Sequence, residues 1–142
     1  MDRAELVAFL RRSPFWVQAS AADDGAPQAA VIGVAVGDDL ELVFDTEISS
    51  RKCRNLRRDP RVALVFWDGA RTIQIEGRAE APAGEERERV KALYFGTFPD
   101  GCEREARVTW FRVRPTWLRD SDFALQPPRI VEIDPRTLAG LG

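Results

Sequence analysis

The sequence predicts a mainly β protein, an antiparallel barrel of six to seven strands with peripheral helices. Three observations lead there. Short segments with two-residue hydrophobic alternation recur along the chain, most of them are joined by tight turns, and the helical stretches are inserted among them rather than alternating with them. A sheet built this way has exposed edges, and closure removes them.

Taken in order, residues 2–12 read as an amphipathic helix. Asp2 caps it, Glu5 completes a capping box, and Leu6, Phe9 and Leu10 share a face. Pro14 sits just beyond and ends it. Phe15–Ser20 is the first strand, Ala22–Ala26 a polar turn, and Gln28–Val36 a strand of small and β-branched residues. After the turn Gly37-Asp38-Asp39, Leu40, Leu42 and Phe44 alternate with Glu41, Val43 and Asp45, the pattern of a half-buried strand. Residues 49–58 form a short helix capped by Ser49 or Ser50 and ended by Asp59-Pro60.

Arg61–Trp67 is almost wholly apolar, which predicts burial on both faces. Asp68-Gly69 marks a hairpin. The return strand Arg71–Glu80 puts Ile73 and Ile75 on one face and Thr72, Gln74 and Glu76 on the other. Residues 84–95 form another amphipathic helix, with Val90, Leu93 and Tyr94 on one side and an i,i+4 pair between Glu85 and Arg89. Val108–Arg114 and Trp117–Asp120 read as two strands broken by Pro115, and Ile130–Ile133 as the last, after a loop at Gln126-Pro127-Pro128. Trp16, Trp67, Trp110, Trp117 and Phe111 exceed what one small barrel holds inside, so some are expected at an interface.

Composition narrows the function. A chain of 142 residues is expected to be one domain able to bury about 70% of its unfolded surface. A net charge of −2 argues against a nucleic-acid partner. No apolar run approaches the length of a bilayer span and the N-terminus opens with an acid, so a cytosolic (cytoplasmic) protein with no membrane partner is expected. Cys53 and Cys102 have no paired-ligand spacing and read as free thiols. With no histidine, neither a Ser-His-Asp or Cys-His system nor a His-containing zinc site can be built. Acid–base work falls to carboxylates, Tyr94, lysine, arginine or a cofactor, and no metal site is expected.

The segment that carries chemistry is Phe44-Asp45-Thr46-Glu47-Ile48-Ser49-Ser50-Arg51-Lys52, which leaves a strand and enters a helix. Hydroxyls, a guanidinium and an ammonium meet there at unpaired helix N–H groups, a setting that favours a phosphate. Six basic residues (Arg51, Lys52, Arg54, Arg57, Arg58 and Arg61) crowd this stretch, and a solvated basic helix would look the same from spacing alone. A nucleic-acid patch is a third reading, disfavoured by the acidic total and the lack of interleaved aromatics.

The run FDTEISSRKCRNLRRDPRVALVF, followed by TIQIEGRAE, resembles the pyridoxamine 5'-phosphate oxidase-like family of FMN-binding split barrels. The opening SPFWVQASAADDGAPQAAVIGVA and the late FRVRPTWLRDSDF are similar to the same family, so the likeness spans most of residues 13–123. It implies a split β-barrel of Greek-key type over residues 1–142, a homodimer with the flavin at the interface, and FMN as cofactor. Arg51 and Lys52 would hold the FMN phosphate with Ser50 beside them and Thr46 adding a hydroxyl. Asp45 would lie near the flavin, and Thr72 and Gln74 would contact its ring or ribityl chain. Arg112, Arg114, Trp117 and Arg119 follow the late strands and are further candidates near the ring.

The departures carry weight. The family's vitamin B6 oxidases bear an Arg and a Lys on the strand matching Gln28–Val36, and this strand has neither. They also recognise substrate with an Arg and a His near the C-terminus, and the tail PPRIVEIDPRTLAGLG has no histidine. Oxidation of pyridoxamine 5'-phosphate is therefore not expected. The expected activity is flavin-dependent oxidoreduction on an unknown substrate, with the flavin N5 exchanging hydride. A deazaflavin F420-dependent reductase and a non-catalytic flavin-binding or stress-associated module stand as alternatives.

Overall fold

The computed structural model describes residues 1–139. The chain enters with helix α1 (Arg3–Leu10) and lays down β1 (Phe15–Ala21) and β2 (Pro27–Gly33) as a hairpin. A two-residue β3 (Ala35–Val36) turns back onto β4 (Leu42–Glu47), and α2 (Arg51–Arg58) follows. β5 (Arg61–Asp68) and β6 (Arg71–Glu80) form a second hairpin. Helix α3 (Gly84–Thr97) and a 3-10 segment (Pro99–Arg107) lead to the long β7 (Val108–Asp122), then β8 (Arg129–Ile133) and α4 (Pro135–Ala139).

All pairings are antiparallel, in the order β2-β1-β5-β6-β7-β4-β3, with β8 also against β7. β2, at one end of this path, approaches β4, next to the other end, without backbone pairing, so the sheet curls into a barrel that stays split along one seam. The architecture is the one the sequence predicts, with eight strands instead of six or seven.

Local signals set the ends of the elements. The Asp2/Glu5 capping box forms, with Glu5 N–H donating to Asp2 Oδ1 at 2.8 Å. It seats α1 so that Phe9 meets Phe66 edge-on, with ring centroids 5.0 Å apart, and Trp16 meets Phe66 from another side at 5.5 Å. These rings anchor the main core.

Five expectations need correction. Gln28–Val36 is two strands, because the Val34 N–H turns to the Pro14 carbonyl at 2.8 Å instead of a strand partner. β4 is buried on both faces over Leu42, Val43 and Phe44, because α3 covers the second face. There Val43 packs with Val90, Tyr94 and Trp110. β5 is the reverse case. Val62, Leu64 and Phe66 point inward, while Ala63, Val65 and Trp67 face outward and Trp67 is 43% exposed.

The helix pair Glu85–Arg89 does not form, since Arg89 reaches Glu86 and the buried Glu41. Finally, β7 runs unbroken through Pro115. Opposite Glu76 and Gly77 its register shifts by one residue, and Thr116 is the extra one. The Thr116 hydroxyl donates to the Glu76 carbonyl at 3.2 Å. Gly77 is needed there, because a Cβ would come within 2.7 Å of the Val113 side chain. The bulge resets the pleat: Phe111 and Val113 point inward before it, Leu118 and Asp120 after it, and all are buried.

Gln18 on β1 is fully buried between Ala30 and Leu64, and neither end of its amide has a hydrogen-bond partner among the described residues. An unpaired buried amide costs about 1–3 kcal/mol. Gln18→Met, close in length, is expected to stabilise the fold by about 1–2 kcal/mol. A urea midpoint that stays put or falls would contradict this.

Candidate functional site

Helix α2 is where the sequence concentrates its cations, and its first turn is built by the end of β4. The Ser50 hydroxyl accepts the Cys53 N–H at 3.1 Å and caps the helix. The Arg51 and Lys52 N–H groups are left at the open end without intrahelical acceptors. Most of the surrounding cations are already committed. Arg54 donates to the Ser49 carbonyl at 2.8 Å, Arg57 to the Thr109 hydroxyl at 2.9 Å, and Arg58 to the Ala21 carbonyl at 2.7 Å. Arg61 pairs with Asp59. Among the described residues, Arg51 and Lys52 have no such side-chain partner, and they sit together at the helix start.

Two adjoining cavities open at this end of the barrel. The larger, about 390 Å³, lies in the seam between β2 and β4. Asp45, Thr46, Ser50 and Lys52 form one wall, and Phe15, Val31, Gly33 and Phe98 face them. The smaller, about 120 Å³, lies between Gln28, Ala29 and Ala30 on β2 and Arg51 and Lys52 on α2. Lys52 lines both. Thr46 is buried in the wall, and its hydroxyl has no hydrogen-bond partner among the described residues.

The far end of the larger cleft is closed by residues with no motif to announce them. Tyr94 on α3 donates its hydroxyl to Asp45 Oδ1 at 3.2 Å, and Arg104 of the 3-10 segment lies 3.2 Å from Oδ2. The Phe98 ring stacks on Tyr94 at 4.8 Å and packs so closely on Gly33 that a Cβ there would meet it at 2.6 Å. Burial raises the Asp45 carboxyl above its ordinary range, against the opposing pull of Arg104 and the Tyr94 hydrogen bond.

Burial first, and the Asp45 charge second, push the Tyr94 phenol up to about 12. Tyr94 is the single tyrosine of the chain, so its ionisation is directly visible in the ultraviolet. The folded phenol keeps its proton to higher pH than the unfolded one. Its contribution to stability is therefore intact below about 10 and is lost as pH rises towards 12. Tyrosinate absorbance should show one transition near 12 in buffer and near 10 in denaturant, and Asp45→Asn should lower the folded value. A folded midpoint near 10 would contradict the burial of this hydroxyl.

Of the residues singled out in the sequence, Asp45, Thr46, Ser50 and Lys52 share the larger cleft and Arg51 borders the smaller one. Thr72 and Gln74 line neither. They lie on the outer face of β6, where Thr72 stands opposite Trp67 and Gln74 opposite Val65 and Arg119. Arg112 is held by Glu80 and Glu86. The residues missed were Phe15, Gln28, Phe98 and Arg104, whose roles depend on distant segments meeting at the seam.

The family model for pyridoxamine 5'-phosphate oxidase matches residues 3–122. A pyridoxine/pyridoxamine 5'-phosphate oxidase of Rubrobacter xylanophilus is 37% identical over 87 residues, which cover 61% of this chain and 39% of that protein. The chain thus spans about two fifths of the length of the curated relatives it matches. Among solved structures, a heme binding protein from Mycobacterium smegmatis superposes with a TM-score of 0.83 at 18% identity, covering 99% of this chain and 61% of that one. A pyridoxamine 5'-phosphate oxidase-related, FMN binding protein from Nostoc punctiforme superposes with a TM-score of 0.68 at 9% identity, covering 93% and 85%. At such identities the likeness is one of fold. The match along residues 3–122 goes further: this chain belongs to the pyridoxamine 5'-phosphate oxidase family.

Proposed function

We propose that this chain is a cytosolic FMN-binding oxidoreductase that holds its cofactor across the two cavities beside α2 and acts on a substrate other than pyridoxamine 5'-phosphate. The observation that carries the reading is the pair Arg51 and Lys52. They are free of internal partners among the described residues, sit at an open helix N-terminus, and line the smaller cavity together, with Lys52 reaching the larger one as well. The residues present fit a flavin phosphate. Two unpaired cations and two helix N–H groups are available, and the buried Thr46 hydroxyl has a hydrogen bond to give. Bound FMN would supply hydride chemistry at its ring. The chain's own part is to hold the phosphate at α2, keep water from the ring with Phe15, Phe98 and Val31, and keep a shielded carboxyl at Asp45.

The same reading makes the protein a homodimer. Val31, Val17 and Val65 run side by side across the outer face of β2, β1 and β5, with Val31 63% and Phe15 55% exposed. Phe15 and Val31 also line the cleft, so a second copy on this face would cover it. Continuing the row, Val65 leads to Gln74 and Arg119, so such a copy brings Gln74 and Thr72 towards its partner's cleft.

The deciding experiment is the visible spectrum of the purified protein, followed by release and mass analysis of any chromophore. FMN bears the reading out. A released deazaflavin would reassign the cofactor to F420, and a Soret band would point to haem. A colourless protein that takes up no added FMN would overturn it.

A further inference from the structure

We propose that Gln28 is a further phosphate-holding group of the flavin site, an amide donor fixed towards Arg51 and Lys52 by Asn55; the proposal rests on the FMN reading above. Asn55 lies in α2 and is almost fully buried. Its Nδ2 donates to Ser20 Oγ at 3.1 Å and to Gln28 Oε1 at 2.9 Å, which commits both amide hydrogens. Its Oδ1 faces Arg58 Nη2 at 3.5 Å, and Arg58 in turn holds the Ala21 carbonyl. The Asn55 amide therefore has one orientation that satisfies its surroundings, and this orientation settles the next amide along.

Gln28 must present Oε1 to Asn55. Its Nε2 then makes no hydrogen bond among the described residues, and Gln28 lines the 120 Å³ cavity with Arg51 and Lys52. An NH2 group held in place by a buried partner loses little freedom on binding, so it is a prepared donor for an anion. Its location answers a specific need. β2 carries no cation, and the small Ala29 and Ala30 leave the cavity open beside it. A neutral, pre-oriented amide supplies from this strand a hydrogen bond that no charged side chain there can give.

The bland account is that Gln28 only ties β2 to α2. Gln28→Glu separates the two, because a carboxylate still accepts from Asn55 and preserves the tie, yet turns an oxygen with negative charge towards the cavity. FMN and riboflavin, which lacks the phosphate, are titrated by flavin fluorescence against the wild type, Gln28→Glu, Gln28→Met and Arg51→Ala plus Lys52→Ala. In Gln28→Glu, FMN affinity should fall roughly tenfold or more while riboflavin affinity changes less than about threefold. Gln28→Met should show the same bias more weakly, and it carries the test if Gln28→Glu does not fold. Equal loss for both flavins, or no loss for FMN while the double cation variant does lose it, would overturn the role of Gln28 alone. A wild type that binds neither flavin, or a double variant that binds FMN normally, would overturn the underlying reading and the proposal with it.

Discussion

Arg51→Ala combined with Lys52→Ala is expected to abolish FMN binding and leave the fold standing. Each cation is placed for a charge-assisted contact worth about 1.5–3 kcal/mol, so losing both costs on the order of 100-fold or more in affinity. Neither side chain holds another part of the protein among the described residues, so the loss in stability should stay within about 0.5 kcal/mol. Arg58→Ala makes the contrasting control. It removes the bond to the Ala21 carbonyl and loosens Asn55, so it should lower the thermal midpoint and affect flavin only through the cavity wall. Equilibrium titration with thermal melts reads both effects. FMN affinity unchanged in the double variant would remove the proposed site.

The second large effect is expected far from the flavin cleft. Glu41 follows the tight turn into β4, and its side chain is completely buried. Arg89 reaches down from α3 and grips it with two bonds of 2.9 Å each, and Arg112 stands 4.0 Å away. Arg89 belongs to the helix that covers the second face of β4, and Arg112 to β7 beside it in the sheet. Arg89→Ala would leave the carboxylate buried with only the more distant cation, a change that costs about 3–5 kcal/mol at fully buried sites. Arg89 is itself 45% exposed and water can enter where it stood, so about 2–3 kcal/mol is the expected loss. The double variant Arg89→Leu plus Glu41→Leu should recover much of it, since the pair's desolvation is then removed together with its attraction. Urea unfolding of both proteins gives the answer, and an Arg89→Ala protein as stable as the wild type would mean that the pair contributes nothing.

What the sequence revealed of the site was its local part. Ser50, Thr46 and Lys52 meet because a strand end, a capping serine and a helix start lie within seven residues, and such geometry follows from short-range rules. The count of cations was equally legible, but their availability was not. Arg54, Arg57 and Arg58 look no different from Arg51 in the sequence, and only the fold spends them on carbonyls and a hydroxyl. Tyr94 and Arg104 come to Asp45 from 49 and 59 positions along the chain, on segments whose own patterns say only that one side is apolar. The same limit explains β5. An apolar run signals that both faces avoid water and is silent on whether the cover comes from this chain or from another copy. β4 failed in the opposite direction, because Glu41 and Asp45 read as solvent-facing until α3 arrives with Arg89 and Tyr94 to receive them.

The bulge at Thr116 has a consequence for how this chain can vary in length. Since Val113 and Leu118 both point inward only because one residue stands outside the ladder, β7 behaves as two strands in opposite phase joined end to end. Loss of Thr116 itself would leave Trp117 opposite Glu76 and Leu118 opposite Ile75, so the ladder would become regular and the inward face would keep its residues. Loss of a residue elsewhere in the strand would invert one half against β6 while the other kept its place. Length changes in this strand are thus confined to the bulge itself or to compensated pairs, whereas the hairpin tip at Gly69 and the loop before β8 are free to change by single residues.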